Sequence, residues 1–165
     1  ENKMCMKYVN TNVQCFSSVA TSILGHTGFS AIIESVKAEK NDEKYIIGGF
    51  NIVTFVNIRG TRGKNNTENN SLDRKDTLKF LIRLTKLDSD PEKQLSYDLK
   101  EFEIDLSDHK NLRHACFDYV ERIEITEVDR LSLEEPGRYV IKILVKENSQ
   151  KYYNVQMVHP IDVEV

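Results

Sequence analysis

At 165 residues the chain has room for one domain of ordinary size, burying roughly 70% of its unfolded surface. An apolar content of 39% and a charged content of 30% place it among soluble globular proteins. A net charge of −3 gives no overall electrostatic drive toward nucleic acid, and no apolar run approaches the ~20 residues that span a bilayer.

From Asn12 to Leu24 apolar residues recur at Val13, Phe16, Ala20, Ile23 and Leu24, close to helical spacing, with Gly25 as a stop. The β-branched content favours an edge strand instead, because Thr and Val lose rotamer freedom in helices. Both alternatives stay open, and residues 1–28 read as an N-terminal extension of a single domain.

After Gly28 the period changes to two. Phe29, Ala31, Ile33 and Ser35 share one face, and Tyr45 to Ile58 follows as a second run rich in β-branched and aromatic residues. The two runs read as a hairpin, and Gly48-Gly49 as a bulge or a close approach of another backbone. Arg59 to Asp76 is almost devoid of apolar groups and reads as a mobile loop, since it cannot offset its ordering entropy by burial.

Leu78, Phe80, Ile82 and Leu84 then share one side of a strand, and Phe102, Ile104 and Leu106 face inward from the next. Ile123 and Ile125 point one way while Arg122, Glu124 and Thr126 point the other. Glu134-Glu135-Pro136-Gly137 raises the question of an active-site lip. Adjacent carboxylates in an extended chain point to opposite faces, and Pro-Gly is what a chain needs before entering a strand. The corner is architecture, and Tyr139 to Lys146 alternates behind it. These elements predict an all-β chain, an antiparallel β-sandwich of about seven to eight strands. Several strands carry apolar residues on both faces (Val140 and Leu144, Leu81 and Leu87), which fits an extra covering element or a partner-facing patch.

Two segments carry a resemblance. "YIIGGFNIV" resembles the aliphatic-Gly-x-Phe strand, and "EEPGRYVIKILVK" the Pro-x-Gly-x-Tyr-type corner, of an uncharacterised bacterial family of β-sandwich proteins. That family is similar in outline to C2-like and immunoglobulin-like sandwiches and has no established activity. The resemblance spans about Phe29 to Val158 and implies the same sandwich here. The chain departs from the pattern where Pro136 directly precedes Gly137, in its first 28 residues and in its long Asn-rich loop. Asp88, Asp90, Asp105 and Asp108 form no dense loop cluster, so calcium binding is not carried over.

The densest group of reactive side chains is "DHKNLRHACFDY". Imidazole and thiolate are zinc ligands, so His109, His114 and Cys116 are the candidate metal site, although their spacing is not an established zinc signature. The competing account is a polar loop ending in a buried thiol. Arg59, Arg62 and Lys64 make the long loop locally basic, and the glycines between them allow backbone approach to an anionic partner. The loop lacks aromatic residues for base stacking, which weighs against nucleic acid. Tyr152 and Tyr153 occupy opposite faces, so one of them is a candidate interface residue.

Cys5, Cys15 and Cys116 are odd in number and widely spaced, which argues against a disulfide framework and for a reducing, cytoplasmic setting. A signal peptide removed before Glu1 would make the setting extracytoplasmic instead. The Asn and Lys bias points to a bacterial protein of phage or mobile-element origin. The function expected is a non-enzymatic binding or protein-interaction module without a cofactor, its partner another protein or a homo-oligomer. The alternative is a metal- or thiol-dependent enzyme centred on His109, His114 and Cys116.

Overall fold

The computed structural model describes residues 8–24, 28–62, 77–87, 90–105, 116–147 and 151–165, with side chains described for 13–20, 33–58, 77–87, 90, 92–105, 121–146 and 151–165. The chain is all-β. In order come β1 (Tyr8–Leu24), β2 (Gly28–Ile32), β3 (Ser35–Lys37), β4 (Glu39–Asn41), β5 (Lys44–Ile47), β6 (Phe50–Arg62) and β7 (Thr77–Lys86). A 3-10 turn at Pro91–Lys93 precedes β8 (Ser96–Asp105), β9 (Cys116–Val128), β10 (Leu131–Leu133), β11 (Gly137–Glu147) and β12 (Asn154–Glu164). Asp90 caps that turn by accepting the Glu92 N–H at 3.1 Å.

The described residues form three sheets. One has the order β2-β1-β6-β9, a second β3-β12-β11-β7-β8, and a small third sheet β10-β5-β4 lies beside them. Every pairing is antiparallel except β3 with β12. Inward residues of both large sheets belong to one buried cluster: Val19, Ile52, Val56 and Ile58 from the first, Phe80, Ile82, Ile141 and Ile143 from the second. Alternation explains the second set, since β7 and β11 place Leu84 opposite Ile141 and Ile82 opposite Ile143 on the same face. Phe80 and Phe102 stack across β7 and β8 with ring centroids 4.8 Å apart.

The structure settles one open alternative and alters other expectations. Of the two alternatives left open for residues 12–24, the structure takes the strand: Val13, Cys15, Ser17 and Val19 face one side and Phe16 the other, so helical spacing arose from summing two faces of a strand. That strand is also integral to the first sheet, pairing with β6 from Tyr8 to Ala20. The expected hairpin does not form. β2 pairs with β1, β3 crosses to β12, and a tight turn through Asp42 joins β4 to β5. Residues 59–62 of the expected loop continue β6, because pairing with Asn12 through Tyr8 on one side and Thr61 with Cys116 on the other satisfies their backbone. Among the described residues, segments that connect the longer strands also pair, as the short strands β3, β4, β5 and β10.

Gly48 is where another backbone approaches: a Cβ there would lie 1.9 Å from the Asp129 carbonyl oxygen. The Pro-Gly corner is held by Tyr139, whose buried hydroxyl donates to the Glu135 carbonyl at 2.6 Å. Tyr97 accepts the Glu134 N–H through its hydroxyl at 3.0 Å, and Lys86 pairs with Glu135 at 2.5 Å. Gly137, at φ +126, makes the conformation that begins β11.

Candidate interaction surface

Register in the first sheet places Phe16 (β1), Phe55 (β6) and Ile123 (β9) side by side, and beside them Ser18, Val53 and Ile125. This is the face turned away from the shared core, because Ile52, Val56 and Ile58 on the alternate positions of β6 belong to the core. Phe16 is 59% exposed and Ile123 46% exposed, with Phe55 half-buried between them. Cross-strand aromatic and β-branched pairs stabilise a sheet by roughly 0.2–1 kcal/mol each. They do not remove the outward surface of Phe16 and Ile123 from water. Glu121 and Glu127 flank the isoleucines on β9, are exposed, and make no ion pair among the described residues.

The outward isoleucines follow from what β9 does on its other face. Arg122 and Glu124 point inward, opposite Val56 and Thr54, at the seam where β9 meets β8 of the other sheet. There Lys100 Nζ donates to the Ile125 carbonyl at 2.7 Å and to Glu124 at 3.4 Å. Arg122 pairs with Glu124, donates to the Glu103 carbonyl at 3.1 Å and lies 5.8 Å from the Phe102 ring centroid. These contacts join the two sheets along one side, and they commit the polar face of β9 to the seam.

The second sheet treats its outer apolar residues differently. Val140, Leu81 and Leu144 are buried, with Lys142 and Arg83 in the row between them. The methylene stems of such side chains cover apolar surface while their charges reach water. Arg83 is oriented by a 2.6 Å contact with Asp98, and Lys146 lies 4.7 Å from the Tyr153 ring centroid. That face is roofed by the protein itself; on the outer face of the first sheet Val53 is buried at the centre, while Phe16 and Ile123 on the flanking strands are exposed.

Of the residues singled out from sequence, Tyr152 and Tyr153 alone have described side chains. Tyr152 is 73% exposed and Tyr153 half-buried, both just before β12 in the second sheet. Arg59 and Arg62 belong to the end of β6 in the first sheet, and their side chains lie outside the described residues, as does Lys64 entirely. His109 and His114 also lie outside them, and Cys116 is described only as backbone, opposite Thr61. Among the described residues no group of three or more His, Cys, Asp or Glu is placed to hold a metal ion. A cleft of about 420 Å³ opens beside β4 and Gly48, lined by Lys37, Lys40 and Arg130 together with Glu39 and Asp129. Its lining holds no imidazole, thiol or hydroxyl. No helix among the described residues is long and apolar enough to cross a membrane.

Phe16 and Ile123 were not singled out from the sequence. The available signal was apolar content on both faces of Phe50–Ile58, of the kind noted for β7 and β11. The class that the fold defines is an all-β protein, in which Phe16 and Ile123 are exposed on the outer face of the first sheet. No protein family, no curated protein and no solved structure matches the chain.

Proposed function

We propose that the chain is a non-enzymatic protein-interaction module that presents the outer face of its first sheet to another protein. The observation that carries this reading is the row Phe16–Phe55–Ile123, in register across three strands with both ends open to water. Covering a large apolar side chain that is about half exposed contributes roughly 1–2 kcal/mol, so the row supplies a useful part of a specific affinity. Charge selects the occupant. Glu121 and Glu127 bracket the isoleucines and the chain carries −3 overall, so the partner presents an apolar centre with lysines or arginines at its rim. A second copy would set acidic rims against each other.

The test is native mass spectrometry of the untagged protein from its own cells, wild type beside Ile123→Lys. The reading expects a discrete second protein mass on the wild type and a bare variant. Ile123 is exposed, so the substitution leaves the fold in place. A bare wild type, or the same bound mass on both proteins, contradicts the reading.

A further inference from the structure

Register arranges the outer face of the second sheet as a lattice. Across β8, β7, β11 and β12 one row reads Asp98–Arg83–Lys142–Val158 and the next Glu101–Leu81–Leu144–Val155. The third is Glu103–Lys79–Lys146, with Lys146 Nζ 4.7 Å from the Tyr153 ring centroid. Two rows therefore set cation directly against cation, Arg83 against Lys142 and Lys79 against Lys146. Like charges directly opposite each other destabilise an antiparallel pair.

β8 relieves only half of this. Asp98 holds Arg83 at 2.6 Å and Glu103 holds Lys79 at 3.5 Å. Lys142 and Lys146 are half-buried and make no ion pair among the described residues. Their neighbours toward β12 are apolar: Val158 and Val155 are 49% and 54% exposed. The β7–β8 half of the face is closed by ion pairs, and the β11–β12 half is a cationic and apolar lane.

We propose that this lane binds an extended acidic segment of a protein, with carboxylates over Lys142 and Lys146 and an apolar side chain between them. Spacing sets the pattern. Two residues four apart on a strand share a face and lie roughly 13 Å apart, so the matching carboxylates stand at i and i+4 of an extended ligand. The ligand side chain at i+2 falls over Val155, beside the buried Leu144. The fitting sequence reads acid-x-apolar-x-acid. An anionic membrane is a plane and would bring its charge onto Asp98, Glu101 and Glu103 of the same face. A single strand along β11 and β12 stays clear of β8, which lies two strands and roughly 10 Å from β11. Bases stack on open ring faces, whereas Lys146 lies over the ring of Tyr153. The lane belongs to a different sheet from the Phe16–Ile123 row and does not depend on what covers that row. Exposed ion pairs are weak and screened by salt, so the contact is read in solution at low salt rather than as a stable complex mass.

The test is an NMR titration of the full chain at low salt with the synthetic peptide Glu-Thr-Val-Thr-Glu. The proposal expects saturable shifts at the amides of Lys142, Lys146, Val155 and Val158 that diminish as salt is added. Lys142→Gln and Lys146→Gln should each weaken binding at least about threefold. Gln keeps part of the stem that covers Leu144, so both variants should unfold as cooperatively as the wild type. Lys37→Gln, at an exposed lysine of β3 that makes no ion pair among the described residues, should leave the affinity unchanged. The permuted peptide Glu-Glu-Val-Thr-Thr has the same charge and should bind at least about threefold more weakly. Unmoved lane amides at millimolar peptide, equal binding by Lys142→Gln, or equal binding of the permuted peptide would each overturn the proposal. So would tighter binding at these amides by oligothymidine or by phosphatidylserine vesicles.

Discussion

Gly48 shows how much a single residue decides. Any Cβ at that position meets the Asp129 carbonyl oxygen at 1.9 Å, and that oxygen belongs to a backbone that cannot rotate aside. Gly48→Ala is therefore expected to lose at least about 1–3 kcal/mol by forcing β5 and the β9–β10 turn apart, visible as a lower urea midpoint. Gly49→Ala is strained for a different reason, its φ of +75, although open space surrounds it. Gly48-Gly49 was legible in the sequence as a bulge or a close backbone approach, because few other reasons place two glycines inside an apolar run. Lys142 and Lys146 were not legible in this way. Their cross-strand neighbours Arg83 and Lys79 come from a strand far away in the chain, and no local pattern marks them.

Among the elements, β9 is the least expected. Alternation in its sequence separates Ile123 and Ile125 from Arg122, Glu124 and Thr126, but alternation has no sign, and ordinary burial would turn the isoleucines inward. The seam reverses this because Lys100 and Glu103 of β8 provide partners for Arg122 and Glu124. Glu124 keeps only 13% of its side chain exposed. Lys100→Met then leaves a shielded carboxylate short of a cation and should cost about 1–3 kcal/mol, whereas Lys100→Met with Glu124→Met should recover much of it. A double-mutant cycle measured by urea unfolding checks this, and additive losses would show the two side chains to be uncoupled. β7 and β11 were legible for the opposite reason: their inward residues are uniformly apolar. The β1 segment was ambiguous because apolar residues on both faces imitate a helical period.

For the whole molecule, a core shared by two sheets fixes how stability responds to pH. Burial pushes the Cys15 thiol from 9.0 up to about 12. Burial, then the neighbouring Tyr97, Glu135 and Glu134, raises the Tyr139 phenol as well. Both groups lose protons more readily in the unfolded chain, so between about pH 9 and 12 the native state holds more protons than the unfolded state. Stability is then full below pH 9 and falls as pH rises, by up to about 1.4 kcal/mol per pH unit for each group. Urea midpoints measured across that range should decline, and Cys15→Ala should flatten the decline. The all-β class and most strand positions were legible from periodicity. The crossing of β2 and β3 between sheets was not, since which strands pair over long separations is decided by the shared core.

The central claim is that the outer face of the first sheet is covered by another protein where this chain works. Hydroxyl-radical footprinting tests it directly, comparing the protein oxidised within a lysate of its own cells with the same protein purified to homogeneity. The account predicts that Phe16 and Ile123 are protected in the lysate and oxidised after purification, while Tyr152, 73% exposed and in the other sheet, reacts equally in both. Equal oxidation of Phe16 and Ile123 in the two samples would contradict it.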